Sequence, residues 1–451
     1  MGGIRKASNK RVGIILKTKL IMETTTIETH KAVVEQLKSI LDGNPAMAKS
    51  LGESLKKAVE LSKNGSPDKT IPPLNKDLYK AIDKEFKGKG WPETVAAYYD
   101  YLDLYVQMIP NESRDPEYPN AWTSDGTKNG YNQKVYDLLC QSYWLIDQAD
   151  SEGNTMQSYP EFADWLVSFA NAWGTFLDTE ASLTKETLQS FKDDKNAQGE
   201  SVYNFPLYSK NESKWKTFNQ FFYREFNNAD PKTGISPLRP IAAPDDNTII
   251  VSPADCTFKA YYPIDKKGNV DKVTLKGTHT IGSVDELLQY SKYGENFYGG
   301  TFIHYFLSPF DYHRFHTPVS GKILEILPVQ GKVYLNVETA SDGQFDAPDG
   351  GENGYEFSQA RGLVIMDAGT EVGKVAILPI GMCQVSGVDM YTELQGQTVV
   401  KGQEFGKFKF GGSDIIMLFE KPPHELYMFQ NDPSHVPIHF QYGQASVYWN
   451  K

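Results

Sequence analysis

The sequence has few cysteines and no apolar run of membrane-spanning length. Three cysteines stand among its 451 residues, and none lies in a Cys-x-x-Cys pair. Three thiols cannot build a disulfide framework, so we expect a reducing compartment, the cytoplasm. The N-terminal apolar stretch Val12–Leu16 is far shorter than the ~20 residues that cross a bilayer. A lipid substrate would therefore have to be reached from outside the bilayer, by peripheral membrane association.

Basic residues are in deficit, with 46 lysines and arginines against 57 aspartates and glutamates. Binding to nucleic acid requires clustered basic side chains for the phosphates, so we exclude nucleic acid as a partner. Hydrophobic residues make up 40% of the chain and aromatic residues 13%. This apolar content is enough for a substantial core and excludes a wholly disordered chain.

The N-terminal segment is the exception to the acidic balance. Residues 1–21 contain six basic residues and no acidic residue. We interpret residues 1–22 as a basic, disordered tail. The alternatives are a cationic targeting arm and an extension upstream of Met22. No small-residue cleavage site follows the apolar stretch, which argues against a secretory signal peptide.

Residues 23–200 have the apolar spacing of helices, and we expect an α-helical N-terminal domain. Apolar residues recur every three or four positions within Val95–Ile109 and Phe162–Phe176, and more weakly within Val135–Leu145. Pro160 stands where a helix would begin, a position that proline favours. Such aromatic stripes are typical of a core, and some of them could also line a pocket against the second half of the chain.

From about residue 240 the pattern changes to short β-rich runs separated by glycine, proline and aspartate. This pattern predicts a mainly antiparallel β-sandwich domain over residues 201–451. The expected fold class is therefore α+β. The predicted strands are Thr248–Val251, Gly300–Leu307, Lys322–Pro328, Leu363–Met366, Lys374–Pro379, Lys407–Phe410 and Ile415–Phe419.

Two segments carry the residue types of a catalytic site. Leu307–Gly321, LSPFDYHRFHTPVSG, holds two histidines, an aspartate, an arginine and a tyrosine. His313 and His316 have the spacing of two metal ligands, but no third ligand stands nearby, and we expect no metal. Lys401–Glu420 contains a Gly-Gly-Ser triplet between two predicted strands. Taken alone, the triplet is more typical of an ordinary hairpin turn, because glycine permits positive φ.

Together these segments resemble the phosphatidylserine decarboxylase family, whose members make their own pyruvoyl cofactor. The resemblance covers roughly residues 218–420, and the order of its motifs makes it specific. The matching segments are FFYREF, LRPI, SPAD, KGTHTIGSVDELL, GTFIHYFLSPFDYHRFHTPVSG and VVKGQEFGKFKFGGS.

The resemblance implies a role for four side chains. Gly412–Ser413 matches the self-cleavage site of the family. Asp255 and His316 match the pair that activates the serine, with His316 as the base and Asp255 orienting its ring. His313 matches the histidine assigned to the decarboxylation step, where it would return a proton to the product.

The implied chemistry begins with attack of Ser413 on the Gly412 carbonyl. Elimination and hydrolysis would then leave a pyruvoyl group at position 413, and no pyridoxal phosphate is needed. That group would form a Schiff base with an amino-acid substrate and accept electrons as CO2 leaves. The product would be a long chain and its 39-residue C-terminal partner, residues 413–451, held by strand pairing.

Two positions depart from the family pattern. Asp414 follows the serine, where the family usually has Thr or Ser; its carboxylate would either repel a developing oxyanion or bind a nearby cation or amine. Cys256 replaces a glycine, and we expect a small buried residue rather than a reactive thiol.

Arg314 could hold a substrate carboxylate or phosphate, or form a structural ion pair. His279 and His304 are expected to be structural.

Two other classes of protein share parts of this pattern. The PVSGKILEI and VKGQEFGKF segments resemble halves of biotinyl and lipoyl carrier domains, but no modifiable lysine stands at the corresponding hairpin tip. A serine hydrolase would also use Asp, His and Ser, but the Gly-x-Ser-x-Gly elbow of that class is missing around Ser413.

The substrate is not determined by the family resemblance. The long helical half resembles a soluble branch of the family, so we favour a free L-amino acid, aromatic in some members. The alternatives are phosphatidylserine, whose head group carries serine, and an inactive binding homologue. A basic tail would favour the lipid, because anionic membranes attract lysine and arginine. A homo-oligomer is left open.

Overall fold

The computed structural model describes residues 30–124, 130–270, 282–347, 358–423 and 438–449. In this part of the chain the helices come first and the strands follow, which confirms the expected α+β class. The basic tail and His279 lie outside the described residues. The main helices are α1 (30–43), α2 (Pro45–Asn64), α3 (Lys76–Glu85), α4 (Val95–Tyr105), α5 (Lys134–Trp144), α6 (Pro160–Leu177), α7 (Lys185–Asp193), α8 (Phe218–Phe222) and α9 (Val284–Leu287).

The helices follow the predicted apolar stripes with one difference in length. Helix α6 begins at Pro160, as expected, and buries its aromatic face. The stripe predicted over Val95–Ile109 is too long, because α4 ends at Tyr105. Pro110 disfavours helical backbone at the residue before it, so the chain leaves the helix ahead of Ile109.

The strands form one large antiparallel sheet and three smaller ones. The large sheet has the order β11-β5-β8-β9-β13-β3-β2-β14, and a three-stranded sheet has the order β10-β12-β4. The strands are β1 (Ile249–Val251), β2 (Cys256–Pro263), β3 (Thr301–Leu307), β4 (Arg314–His316), β5 (Gly321–Val329), β6 (Glu338–Thr339), β7 (Phe345–Asp346), β8 (Arg361–Asp367), β9 (Lys374–Gly381), β10 (Val388–Met390), β11 (Thr398–Val399), β12 (Glu404–Phe408), β13 (Ser413–Phe419), β14 (His439–Phe440) and β15 (Ala445–Tyr448).

Strand β13 lies in the middle of the large sheet, between β9 and β3. Its sequence is apolar at almost every position because both faces of the strand are buried. Ile415, Met417 and Phe419 join the main core, whereas Ile416 and Leu418 join a second core on the opposite face. Side chains of a strand alternate between faces, so Ser413 shares the face of the main core.

The helical half packs directly against the β-rich half, at the loop that follows β5 and at the turn before β13. Tyr143 on α5 donates a hydrogen bond of 2.7 Å to the carbonyl of Val333. Trp173 on α6 meets the ring of Phe410 edge-on, with 5.3 Å between the ring centroids. The aromatic stripes therefore serve the core and also cover the turn before β13.

The three cysteines are free and buried. Burial raises the pKa of the Cys256 thiol, which supports a packing role for this residue rather than a reactive one. Among the described helices, none combines the length and apolar character needed to cross a membrane.

Candidate active site

Ser413 is the first residue of β13 and is fully buried. It lies opposite Leu307 of β3 on one side and Gly381 of β9 on the other. Among the described residues its hydroxyl finds no hydrogen-bond partner. A buried hydroxyl without a partner is costly, so such a group in a native core calls for a functional explanation.

The peptide group of Gly412 is held by the turn that follows β9. The Met382 N–H donates a 2.8 Å hydrogen bond to the Gly412 carbonyl, and the Gly412 N–H donates to the Cys383 carbonyl at 3.1 Å. A backbone N–H aimed at this oxygen withdraws electron density from the carbonyl carbon, the atom that Ser413 would attack. Sequence reasoning missed Met382, because a backbone donor has no side-chain signature.

The same turn approaches the chain so closely that only glycine fits before Gly412. Gly411 has φ of +147°, and a Cβ there would lie 2.6 Å from the backbone nitrogen of Val385. Gln384, next to it, adopts the left-handed φ of +54°. Its N–H lies 3.4 Å from the Tyr143 hydroxyl, which connects the turn to α5. The Gly-Gly-Ser triplet is therefore a tightly enclosed turn and not an open hairpin.

Asn219 on α8 and Asp178, which follows α6, also support this turn. The Phe410 N–H donates to the side-chain oxygen of the buried Asn219, at 3.0 Å. Asn219 in turn donates to Asp178 at 2.9 Å. The Lys409 ammonium group also binds Asp178, at 2.9 Å. Asn219 was not predicted as a site residue, since its partner stands 191 positions further along the chain.

His313 lies beside the turn and is buried. Its ring stacks on Phe222 with 3.7 Å between centroids, and Phe222 also contacts Phe410 at 5.1 Å. Neither ring nitrogen has a hydrogen-bond partner. Burial, and then the positive charge of Arg224, hold the pKa of His313 well below its ordinary value. The ring is therefore neutral near pH 7, with a lone pair available to accept a proton.

His316 is also buried, but both of its nitrogens are engaged. Nδ1 lies 2.8 Å from the Gly402 carbonyl, so it carries the proton and donates. The Tyr312 hydroxyl then donates to Nε2 at 3.0 Å. The ring stacks on Tyr442 at 3.8 Å. Burial lowers the pKa of His316 to about 4.

Asp255 lies near His316 without a hydrogen bond to it. Its carboxylate binds the Arg239 guanidinium at 3.0 Å and accepts the Tyr442 N–H at 2.8 Å. Tyr442 contacts His316 directly only by ring stacking. Asp255, His316 and Ser413, the residues predicted for self-cleavage, are therefore not joined by one chain of hydrogen bonds within the described residues. Ser413 contacts neither of the other two by a hydrogen bond, and the roles assigned to Asp255 and His316 stay predictions.

Asp414 points to the face of the sheet opposite Ser413, as neighbouring residues of a strand do. It is fully buried and lies 3.0 Å from Nε2 of His304. Arg314 forms ion pairs with Glu404 and Glu225. Of the two alternatives predicted for Arg314, these contacts show the structural ion pair. The partner of Asp414 is His304, which the sequence did not assign to it.

A substitution of Gly411 tests the enclosure of the turn. We expect Gly411→Ala to leave most of the chain uncut and to lower the free energy of unfolding by about 1–3 kcal/mol, because the new Cβ meets the Val385 backbone. Gly396→Ala is the matched control, since Gly396 also has positive φ (+77°) but open space around it. Denaturing gel electrophoresis and urea unfolding measure both effects. Complete cutting in Gly411→Ala would contradict the close approach.

The buried neutral state of His316 predicts a loss of stability in acid. Below its ordinary pKa of 6.5 the unfolded chain gains a proton, whereas the folded chain resists it down to about 4. The free energy of unfolding should therefore fall by about 3 kcal/mol over this interval from His316 alone. Urea unfolding at pH 6.5 and at about pH 4 measures this change in the free energy of unfolding. His316→Asn, which keeps a donor toward Gly402, should lose this part of the pH dependence. An unchanged dependence in the variant would refute the assignment.

No group of three or more His, Cys, Asp or Glu side chains suited to a metal ion is found in the described ranges. The expectation of no metal stays a prediction from the sequence.

The sequence model of the family described as phosphatidylserine decarboxylase matches residues 218–446, half of the chain. Phosphatidylserine decarboxylase proenzyme 3 of Schizosaccharomyces pombe is 39% identical over 206 residues, which cover 46% of this chain but 19% of the yeast protein. This chain therefore aligns with less than a fifth of that relative.

Two shorter relatives are covered more completely. The phosphatidylserine decarboxylase proenzyme of Clostridium novyi is 33% identical over 254 residues, 56% of this chain and 75% of the bacterial protein. Decarboxylase iboD of Amanita muscaria is 30% identical over 291 residues, 60% of this chain and 80% of the fungal protein. With the enclosed Gly-Gly-Ser turn and its histidines, these matches settle the family: the chain belongs to the phosphatidylserine decarboxylase family, whose members are carboxy-lyases.

Proposed function

We propose that this chain is a proenzyme that cuts itself between Gly412 and Ser413 and then decarboxylates the serine head group of phosphatidylserine. The observation that carries the first part is the Met382 N–H bonded to the Gly412 carbonyl, next to a buried Ser413 hydroxyl without a partner. The proenzyme and substrate named in the relatives support the rest of the proposal.

Self-cleavage uses atoms that this chain supplies, apart from one water. Ser413 Oγ adds to the Gly412 carbonyl carbon while Met382 N–H stabilises the charge that grows on the oxygen. The C–N bond breaks, the Ser413 nitrogen takes a proton, and Oγ forms an ester. Loss of the Ser413 α-proton expels the Gly412 carboxylate, and water releases ammonia to leave a ketone at position 413.

Two histidines compete for the role of base. We propose that His316, with Asp255 beside it, is the base that accepts the proton of Ser413 Oγ, as the family resemblance implies. This assignment requires the Tyr312 hydroxyl to release the Nε2 lone pair of His316. His313 is the rival, because its nitrogens have no partners in the described structure.

The surroundings of position 413 fit a pyruvoyl group. When formed, the group supplies a carbonyl that accepts the electrons released with CO2. Phe222, Phe410 and Trp173 pack around this region. His313, neutral before the substrate enters, takes a proton from the substrate's ammonium group and returns it to the product. The 39-residue chain stays in place through β13.

A free amino acid is the second candidate substrate, and the enclosure of the site favours it. Ser413 and His313 are fully buried, and α6 of the helical half covers the turn before them. A lipid would have to bring its head group beneath that cover. The match to the fungal decarboxylase also extends over more of this chain than the matched catalytic region.

One assay separates the substrates. Purified full-length chain is incubated with carboxyl-labelled phosphatidylserine in anionic vesicles, or with labelled tryptophan, tyrosine or serine, and released CO2 is counted. Release from the vesicles supports the lipid substrate. Release from a free amino acid alone overturns the lipid but keeps the decarboxylase. A cut chain that releases CO2 from neither overturns both substrates.

A further inference from the structure

A cavity of about 300 Å³ lies between the helical half and the loop that follows β3. Its size is at the lower end of cavities that hold small organic ligands. Glu112 and Tyr203 contribute from the helical side, Ser308 and Phe310 from the loop, and Gln344 from the segment before β7. None of these residues belongs to the proposed self-cleavage machinery.

Gln344 is the first sign that the cavity takes a ligand. Its side chain lines the cavity and is 3% exposed, yet neither the oxygen nor the nitrogen of its amide has a hydrogen-bond partner. Leaving both atoms of a buried amide unsatisfied costs free energy that a well-packed core avoids. A ligand in the cavity could satisfy them.

The charge of the lining is the second sign. Glu112, Asp342 and Asp346 line the cavity, and none of its described lining residues is a lysine or arginine. The Arg224 guanidinium lies behind two of the lining residues, 5.7 Å from the Tyr203 ring and hydrogen-bonded to the Phe310 carbonyl.

Glu112 is 4% exposed, and burial, reinforced by Asp194, raises its pKa well above the ordinary value. The Lys134 ammonium group is held by Glu85 at 2.7 Å. The Glu112 carboxylate accepts hydrogen bonds from the backbone N–H of Lys134 at 2.9 Å and the Tyr203 hydroxyl at 3.2 Å, and each oxygen keeps a second lone pair. A cation in the cavity would favour the charged form of Glu112.

Aromatic rings supply the remaining walls. The rings of Tyr131 and Phe310 meet edge-on at 5.7 Å, and Tyr203 meets Phe310 at 6.4 Å. Tyr136 and Phe345 line the cavity as well. Aromatic faces attract organic cations and pack against apolar groups.

We propose that this cavity binds a small primary amine with an apolar body, its ammonium group between Glu112 and the Gln344 amide oxygen and its body against the aromatic rings. Three lining carboxyl groups disfavour a ligand that also carries a carboxylate or a phosphate. The ligand class is therefore an amine without an anionic group, as decarboxylation of a free amino acid, the second candidate substrate, would yield. Phosphatidylethanolamine, whose head group carries a phosphate, is outside this class.

The cavity shares a loop with the active site. Ser308 follows Leu307, the residue opposite Ser413, and the chain continues from Phe310 to His313. The Phe310 carbonyl is held by Arg224 at 2.7 Å. A bound amine would therefore contact the segment that positions His313, which gives the product class a route to influence turnover.

Isothermal titration calorimetry on the full-length Ser413→Ala chain tests this binding without a pyruvoyl group that could react with amines. The probes are 2-phenylethylamine, 2-phenylethanol, phenylalanine and ethanolamine. We expect 2-phenylethylamine to bind at least about tenfold more tightly than the neutral alcohol or the amino acid. Binding of ethanolamine as tight as that of 2-phenylethylamine would contradict the role of the apolar body and overturn the proposed ligand class.

Substitution of Gln344 separates a ligand site from a packing defect. Gln344→Leu removes an amide that makes no internal side-chain hydrogen bond, so the melting temperature should hold or rise while amine affinity falls about tenfold. Glu112→Gln should weaken the amine and leave the alcohol unchanged, and Glu338→Gln, an exposed carboxylate nearby, should change neither. Unchanged affinity in Gln344→Leu, or no saturable binding of either amine at millimolar concentration, would overturn the proposal. Neither result depends on self-cleavage.

Discussion

Ser413→Ala should yield one uncut chain without decarboxylase activity. Alanine keeps the buried volume at the start of β13 but removes the only atom that can add to the Gly412 carbonyl at that position. No ester can form, so neither chain cleavage nor the ketone follows. Intact mass under denaturing conditions should show one chain of full length, whereas the unsubstituted protein should show two chains that end at Gly412 and begin at position 413.

Ser386→Ala is the matched control for this result. Ser386 stands in the neighbouring turn, and its buried hydroxyl also lacks a partner, so a loss of activity through general disturbance would affect both variants. We expect the Ser386 variant to be cut. The short chain of the unsubstituted protein should be about 17 Da lighter than its plain sequence, as the conversion of a serine to a pyruvoyl group requires. A Ser413→Ala chain that is cut and active would refute the mechanism.

His313→Ala should be cut normally and turn over poorly. If His313 returns the proton to the product, its loss removes general acid catalysis, worth about 10²–10⁴-fold in rate. Self-cleavage should survive, because His316 serves that step. Gel electrophoresis reports the cutting, and CO2 release by the cut protein reports turnover.

His30→Ala is the control for His313. His30 is a buried histidine whose ring nitrogens also lack partners, but it lies on α1 in the helical half. Its substitution should change stability without a selective loss of turnover. If His313→Ala stays uncut while His316→Ala is cut, the base of self-cleavage is His313, and the two roles must be exchanged.

The candidate site residues could be proposed from the sequence because their signal is local. Ser413 follows two glycines, and His313 and His316 stand three positions apart. The enclosure of Gly411 was not predicted, because a Gly-Gly-Ser triplet alone is typical of a hairpin turn and the approaching Val385 backbone is distant in sequence. The α+β class could be predicted because the apolar period changes near residue 240.

The support of the site could not be predicted, because it depends on the register of distant strands. Met382 reaches the Gly412 carbonyl only because β9 pairs with β13 so that Gly381 lies opposite Ser413. His304 faces Asp414 because β3 pairs with β13 in a register set by seven residue pairs. Backbone donors and cross-strand partners leave no motif in the sequence. The sequence therefore predicted a structural role for His304 but could not identify Asp414 as its partner.

The central position of β13 changes the molecularity of unfolding once the chain is cut as we propose. Before the cut, folding is a reaction of one molecule. Afterwards β13 belongs to a separate chain, and its loss leaves β9 and β3 with unpaired edges. Refolding then becomes second order in protein, so the apparent stability of the mature form should rise with its concentration. Cutting thus preserves a fold that only the precursor can reach efficiently, and the mature protein depends on slow unfolding to persist.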